Sequence, residues 1–528
     1  MPEQFLHGVE IVEIDSGPRP IRTVRSSVIG LVGTAPKGPV NTPVLIAGSR
    51  REAALAFGTG LGTIPWALDA IFDQAGALVV VINVLDTAVH KVAVAATSFA
   101  FDGAGAIVLP HRYVRNVVVA GPVIASMAFS AAGTIALPSG ATSIQVQSAD
   151  GATTYTSPDD FTLAGALVTR VEGGDIAAEA TVRVSYAYAL AAGTDYTVDF
   201  DAGRLVLVAG GGIVAGATVS VAYDRPDPDA VDLADIVSGV DPATGAYRGV
   251  QALLAAQSVV KVTPRILLAP GFTHRKPEGF ANPVVAEMLG IAGRLRAVIV
   301  ADGPNASDAA AIGYREDWGS PRVYVIDPWV RVLDASGALA DQPASPRVAG
   351  LIAGSDNDRG FWWSPSNQTI NGIVGTSRPI DFVLGDANAR ANLLNENEVA
   401  TIVHQDGYRL WGNRTCSSDP KWAFLSVRRT ADMINESLQQ AHLWAVDRNI
   451  TRTYLEDVTE GVSAYLRRLQ AQGAILGGRC WPDPDLNTPE SIADGQVYFD
   501  FDFTPPYPAE HITFRSHLVN DYITEILK

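Results

Sequence analysis

Hydrophobic and polar positions change period several times along this chain, and each change predicts a change of element. Val9, Ile11 and Glu13 alternate with Glu10, Val12 and Ile14, so the opening segment reads as an extended strand with apolar groups on both faces. The run Asp15-Ser16-Gly17-Pro18-Arg19-Pro20 stops it. Such a strand needs a ladder partner, in its own domain or on a neighbouring subunit. Residues 28–32 and 44–47 then read as short strands, separated by a turn at Pro36-Lys37-Gly38-Pro39. Ser49 followed by Glu52 has capping-box spacing and predicts a helix ending at Phe57-Gly58. A second helix over 66–74 and a β-branched strand over 78–84 complete a strand–helix–strand order, as in a sheet covered by helices.

From residue 91 to about 228 the pattern becomes short alternating runs rich in Ala, Gly, Val, Thr and Ser. The segment contains an internal repeat. Asp160-Phe161-Thr162-Leu163 is echoed by Asp195-Tyr196-Thr197-Val198, and residues 176–186 by residues 213–223. Val182, Val184 and Tyr186 alternate with Arg183 and Ser185, as half-buried strands do. The expectation is a small all-β insertion, a sandwich, closed by the linker Asp224-Arg225-Pro226-Asp227-Pro228-Asp229.

Beyond it the α/β pattern returns. Residues 265–269, 297–301 and 322–326 read as buried strands with a helix near 283–289. Two amphipathic helices follow over 430–446 and 455–470, the second with Leu455, Val458, Val462, Tyr465, Leu466 and Leu469 at helical spacing. Near the end, Val497, Phe499, Phe501 and Phe503 alternate with Tyr498, Asp500 and Asp502, a strict period of two. Thr504-Pro505-Pro506-Tyr507-Pro508 breaks that strand, and a last one over 512–518 carries Ile512, Phe514 and Leu518 on one face.

Composition narrows the function. A chain of 528 residues suggests about three or four domains. The net charge of -17 argues against a nucleic-acid partner, which needs a basic face, and against an anionic membrane surface. Only 18% of residues are charged, below the usual ~25%, which suits a surface covered by neighbours. The two cysteines, Cys416 and Cys480, form neither a disulfide framework nor a metal spacing. The first residues lack the basic and apolar regions of a signal peptide, and no apolar run approaches the ~18 residues that span a bilayer; the expectation is a chain made and kept in a cytoplasm.

Candidate chemistry is thin. There is no phosphate-binding Gly-x-x-x-x-Gly-Lys loop, no His-Glu-x-x-His helix and no Gly-x-Ser-x-Gly elbow. The eight His are scattered, and no cofactor or metal is expected. Asp15-Ser16-Gly17 and Gly375-Thr376-Ser377 echo fragments of subtilisin-type proteases, but the His-Gly-Thr signature between them is missing. A subtilisin-like hydrolase is therefore an alternative of another class, and a binding protein carried by the insertion is a third.

Several blocks along the chain resemble contractile tail sheath proteins of phages and bacteriocins. They begin with residues 8–21 and with Ser27-Val28-Ile29-Gly30-Leu31-Val32-Gly33-Thr34-Ala35. Pro346-Arg347-Val348-Ala349-Gly350, Asp358-Arg359-Gly360, Trp363-Ser364-Pro365-Ser366-Asn367 and Leu394-Asn395 follow in order. Trp411-Gly412-Asn413-Arg414-Thr415, Arg428-Arg429-Thr430-Ala431-Asp432 and residues 505–514 complete the likeness, which covers roughly 8–90 and 235–515. The Trp411–Arg414 block reads either as a buried turn with a charge-assisted hydrogen bond or as a partner contact. Arg428 and Arg429 read either as tube-facing or as a solvated helix start.

The resemblance implies a multi-domain α/β (α+β) fold, its sheath core of mixed sheets flanked by helices and related to subtilisin without the activity. The division implied is an arm over 1–20, core over 21–90, an outward-facing insertion over 91–228, core over 229–495, and a C-terminal strand and arm over 496–528. It implies a structural subunit, not an enzyme, that stacks in hexameric rings around a tail tube and contracts to drive the tube through a host envelope during genome ejection. The implied partners are further copies, the tube protein, and baseplate and terminator proteins, without nucleic acid or membrane insertion. The expected place is the virion tail, after assembly in the host cytoplasm. A tailocin or other contractile injection system is a close variant, and one chain carrying both family halves disfavours the two-protein type VI arrangement. The strands through Val9, Ile11, Val12 and Ile14, through Val497, Phe499, Phe501 and Phe503, and through Ile512 and Phe514 are the candidate intersubunit links.

Overall fold

The computed structural model describes residues 21–137, 140–211, 216–334 and 336–527. The opening strand with Val9, Ile11, Val12 and Ile14 lies outside the described residues. The fold begins with three strands, β1 (Ile29–Gly33), β2 (Val44–Ala47) and β3 (Leu78–Asn83), and two helices, α1 (Arg50–Phe57) and α2 (Thr63–Phe72). Ser49 caps α1 by accepting from the Glu52 backbone N–H. The Glu52 carboxylate turns instead to the Ala47 N–H, so the reciprocal half of the capping box is not formed.

After β3 the described residues build twelve strands. These are β4 (Lys91–Ala100), β5 (Ala106–Val108), β6 (Arg115–Ala128), β7 (Thr134–Ala136), β8 (Thr142–Ser148) and β9 (Thr154–Tyr155). They continue with β10 (Phe161–Ala164), β11 (Leu167–Arg170), β12 (Thr181–Leu190), β13 (Tyr196–Asp199), β14 (Arg204–Leu207) and β15 (Thr218–Pro226). Six of them form one antiparallel sheet in the order β4-β15-β6-β12-β8-β9. The hairpin β10–β11 adds β7, and the hairpin β13–β14 adds β5, giving two three-stranded sheets. Val119, Val182, Val184 and Val221 of the large sheet share one core with Ile107, Ile135, Val168 and Leu205 of the small ones.

The internal repeat is wider than its strand pattern suggests. The loop Phe101 to Leu109 (FDGAGAIVL) repeats as Phe129 to Leu137 (FSAAGTIAL). The Gly105 N–H donates to Asp102 O and the Gly133 N–H to Ser130 O; Leu109 and Leu137 bond Gly203 and Ala166 in the same way. One unit, from the second half of β6 to β12, thus sits inside the other, whose pieces are β4–β5 and β13–β15. Lys91 pairs with Pro226 across the ladder, so the twelve strands leave and rejoin the chain at one point.

The rest of the chain completes an eight-stranded mixed sheet. Its order is β2, β3, β1, then Ile266–Leu268, Val298–Asp302, Val323–Ile326, Val399–His404 and Tyr408–Trp411. The six inner strands are parallel and the two edges antiparallel. Helices cover both faces over two separate apolar cores, as a parallel sheet requires. The Ser345–Arg359 helix is buried on nearly every side and lies against α2. At that crossing a Cβ on Gly350 would come within 2.6 Å of the Ile71 carbonyl oxygen. Gly350→Ala is therefore expected to destabilise the fold by about 1–3 kcal/mol, because backbone must move. Gly290→Ala, in the Pro283–Leu295 helix with nothing within 4 Å, is expected to stabilise by up to about 1 kcal/mol. Thermal denaturation of the two variants checks the contrast.

Candidate assembly site

The C-terminal region is built on two helices and a hairpin. Leu425–Ala441 and Arg452–Ala471 present Met433, Ile434, Leu438, Val462, Tyr465 and Leu466 to a common core. Thr451 caps the second helix by accepting from the Tyr454 N–H. Against them packs the antiparallel hairpin Gly477–Pro482/Phe499–Thr504. Its Phe499, Phe501 and Phe503 side chains lie half-buried on this core, together with Phe361 and Ile21. Val497 precedes the strand. The aromatic row thus fills its own domain, while the outer backbone edge of Phe499–Thr504 carries no ladder partner among the described residues.

Residues 505–519 contain neither helix nor strand, so the strand expected over 512–518 has no ladder in the single chain. Ile512 and Phe514 are 67% and 92% exposed. Side chains this apolar left in water point to a surface that a neighbour covers.

Several of the motif blocks, far apart in sequence, converge. A cavity of about 530 Å³ is lined by Trp363, Asn367, Trp411, Gly412 and Asn413, and by the chain leaving the hairpin at Tyr507 and Glu510. Pro365 lies within the same 363–367 turn. Gly412 holds φ at 125°, a region glycine tolerates best. Asn413 is buried, donates to Ser426 Oγ at 3.1 Å, and its Oδ1 has no partner among the described residues. Arg414 makes a two-pronged ion pair with Glu510 at 2.9 and 2.5 Å.

Arg428 and Arg429 are held in ion pairs within the fold rather than standing as a solvated helix start. Arg429 is buried and clamps Asp356 at 2.7 and 2.5 Å while donating to Ser26 O. Arg428 pairs with Asp432 and lies over the Trp422 ring at 4.2 Å. A Trp face and a carboxylate one turn away hold that guanidinium in place.

Ser377 does not face a histidine. Its hydroxyl donates to Asn305 Oδ1 at 2.5 Å, with Trp329 O at 3.3 Å. His274 lies edge-on to Trp329, and burial lowers its pKa to about 4. Asp302 is completely buried at the end of its strand. Its carboxylate accepts from the Ser345 N–H at 2.8 Å and the Ser345 hydroxyl at 2.6 Å, and desolvation pushes its pKa up to about 6. No group of three or more His, Cys, Asp or Glu among the described residues is placed to hold a metal. No described helix is long and apolar enough to cross a membrane.

Unpaired strand edge, exposed apolar tail and motif-lined cavity together define a structural subunit built to associate. Family descriptions agree along the chain. Residues 26–84 match the N-terminal region of tail sheath protein Gp18 domain III, 245–416 the phage tail sheath protein central domain, and 417–518 the phage tail sheath C-terminal domain. The chain is 34% identical to the tail sheath protein of Burkholderia phage BcepMu, over 99% of this chain and 98% of that one. It is 33% identical to the tail sheath protein of Escherichia phage P2, over 57% of this chain and 76% of that one. Its fold is similar to the contracted helical sheath of the anti-feeding prophage, with a TM-score of 0.53, 16% identity and coverage of 98% and 100%. The chain belongs to the phage tail sheath protein family: it is a structural protein that polymerises into the sheath of a contractile tail.

Proposed function

We propose that this subunit stacks in hexameric rings around a tail tube and contracts to drive the tube through a host envelope during genome ejection. The reading rests above all on its likeness to a phage tail sheath protein over the whole length of both chains. Its working partners are then further copies, the tube protein, and baseplate and terminator proteins, met in the host cytoplasm where the tail is put together. Terminal strands act as links. Val9 to Ile14 of one copy adds to the free edge of Phe499–Thr504 on another, and the tail with Ile512 and Phe514 reaches a further one. Head-to-tail links of this kind generate an open helix rather than a closed ring pair. Electron microscopy of the purified chain, with and without residues 1–20, tests this. Hollow tubes lost on truncation support it, and a monodisperse small particle at high concentration overturns self-assembly.

On this reading residues 91–228 form an outward-facing insertion that the lattice does not need. The phage P2 protein matches over 306 residues that are 76% of its length, so it is about 400 residues long and shorter than these 528. Replacing residues 91–226 by a short Gly/Ser linker is therefore expected to leave tube formation within about twofold of wild type, scored by sedimentation. Tubes abolished in a variant whose core still unfolds cooperatively would place the insertion in the lattice.

A further inference from the structure

The cavity beside the C-terminal hairpin is larger than the chain's own side chains use. Trp362, Trp363, Trp411, Phe424 and Tyr507 line it. One polar group there is unfinished: Asn413 Oδ1 is buried without a donor among the described residues. Arg359 has Asp358 beside it but closes no ion pair among the described residues. Arg359 instead donates to Ser355 Oγ and Ser364 O and lies over the Trp363 ring. A buried acceptor without a donor is costly, which favours an occupant of the cavity that supplies one. Its occupant should be aromatic or aliphatic, carry a carboxylate, and offer a backbone N–H.

The position of the cavity selects a segment. It begins at Pro506, two residues past Phe499–Thr504. The arm strand from Val9 to Ile14 is as long as that strand, and Phe5 and Leu6 precede it by only His7 and Gly8. Antiparallel pairing that sets Val9 opposite Thr504 and Ile14 opposite Phe499 aims the residues before Val9 along the chain that leaves the strand at Pro505 and lines the cavity from Pro506 to Glu510, so Phe5 arrives beside it without a continued ladder. Glu3, two residues before Phe5, would share its face if the arm is extended there and bring a carboxylate toward Arg359. Parallel pairing would send Phe5 to the far end of the hairpin. The C-terminal tail fits less well, because Arg515, His511 and His517 accompany its apolar residues.

We propose that Phe5 of one copy plugs the Trp-lined cavity of a second copy, with Glu3 on Arg359 and a backbone N–H on Asn413. The inference rests on the arm-pairing reading above and adds an anchor and a register to it. The anchor fixes where the strand starts, which backbone hydrogen bonds alone leave free to slip.

Disulfide trapping in assembled tubes of the full chain tests both claims. The native cysteines, Cys416 and Cys480, are buried and do not compete. Gln4→Cys with Ala509→Cys reports the anchor; Val9→Cys with Thr504→Cys reports the strand. Val9 and Thr504, directly opposed in the proposed antiparallel pair, lie at disulfide distance, whereas Gln4 comes within reach of Ala509 only when Phe5 enters the cavity. The expected result is a ladder of linked subunits from each pair on a non-reducing gel, and a tube yield at least tenfold lower for Phe5→Ala, restored by Phe5→Trp. A ladder from the strand pair alone removes the anchor and leaves the arm pairing. No ladder from either pair in intact tubes removes both. Closure of the anchor pair within one chain, without a ladder, overturns the second-copy assignment. Phe5→Ala tubes at wild-type yield overturn the plug. If a cysteine pair prevents assembly, loss with Phe5→Ala and rescue with Phe5→Trp still decide the anchor.

Discussion

Replacing Arg429 by Met is expected to lower the stability of the core by about 3–5 kcal/mol, because the substitution strands a buried carboxylate. The side chains of Arg429 and Asp356 are 4% and 2% exposed, and the two terminal guanidinium nitrogens each donate to one carboxylate oxygen. The pair joins the Leu425–Ala441 helix to the Ser345–Arg359 helix and, through the Ser26 carbonyl, holds the start of the described chain. Removing the cation removes all three hydrogen bonds at once. Removing the anion as well relieves most of the penalty, since no unpaired charge then stays in the interior. The double variant Arg429→Met with Asp356→Asn should therefore unfold later than Arg429→Met alone, an order that additive losses would forbid. The measurement is the shift of the core unfolding transition in urea. A single variant within about 1 kcal/mol of wild type would show that the pair is solvated and would sink the argument.

That pair also marks where sequence reading stops. Arg428-Arg429 opening a helix looks like a solvated start, and nothing local indicates that Asp356, 73 residues upstream, is waiting inside. The Ser345–Arg359 helix is hard to see for a related reason. Over Ser345–Ala353 it is covered on all sides, and most of its polar residues gather in the last turns instead of along one face, so it shows no amphipathic period. Helices with one wet face were legible: the stripe from Val458 to Leu469 lies on the Arg452–Ala471 helix at the positions its spacing requires. Strand signals behaved likewise. The Phe row read as a strand, but its partner Gly477–Pro482 (GGRCWP) has no alternation and became visible only through pairing.

The nested repeat of the β-rich region shows a different limit. Its downstream copies lie 35 to 37 residues apart and are readable as similar strings. Its upstream copies, Phe101 to Leu109 and Phe129 to Leu137, are 28 apart, so a search at one fixed offset passes over them. The cavity is less legible again. Its walls come from residues near 360, 411, 424 and 507, and only the sheet and the hairpin bring them together. The motif blocks were recognisable one by one, but their common destination is a property of the fold.

Asp302 carries the second large prediction, and its sign follows from burial. The carboxylate is fully enclosed, with hydrogen-bond donors but no cation, and desolvation raises its pKa from 3.8 to about 6. The folded state therefore prefers the protonated acid. Its contribution is fully present below pH 3.8 and is lost as pH rises through 6, where ionisation costs on the order of 3 kcal/mol. Asn at this position keeps an acceptor for the Ser345 N–H and gains a donor for the oxygens of Thr273 and Ser345. Asp302→Asn is thus expected to be more stable than wild type by about 1–3 kcal/mol above pH 7. That advantage should shrink steadily from pH 6 and vanish near pH 4, where wild-type Asp302 is already protonated. Taking the difference between the two proteins at each pH cancels the other titrating groups, including His274, whose lowered pKa gives the opposite slope between 6.5 and 4. Thermal denaturation from pH 4 to 8 makes the measurement. A constant difference across that range would mean that Asp302 does not titrate there, and a variant less stable at pH 8 would mean that the ionised carboxylate, bonded to the Ser345–Arg359 helix start, is the form the fold prefers.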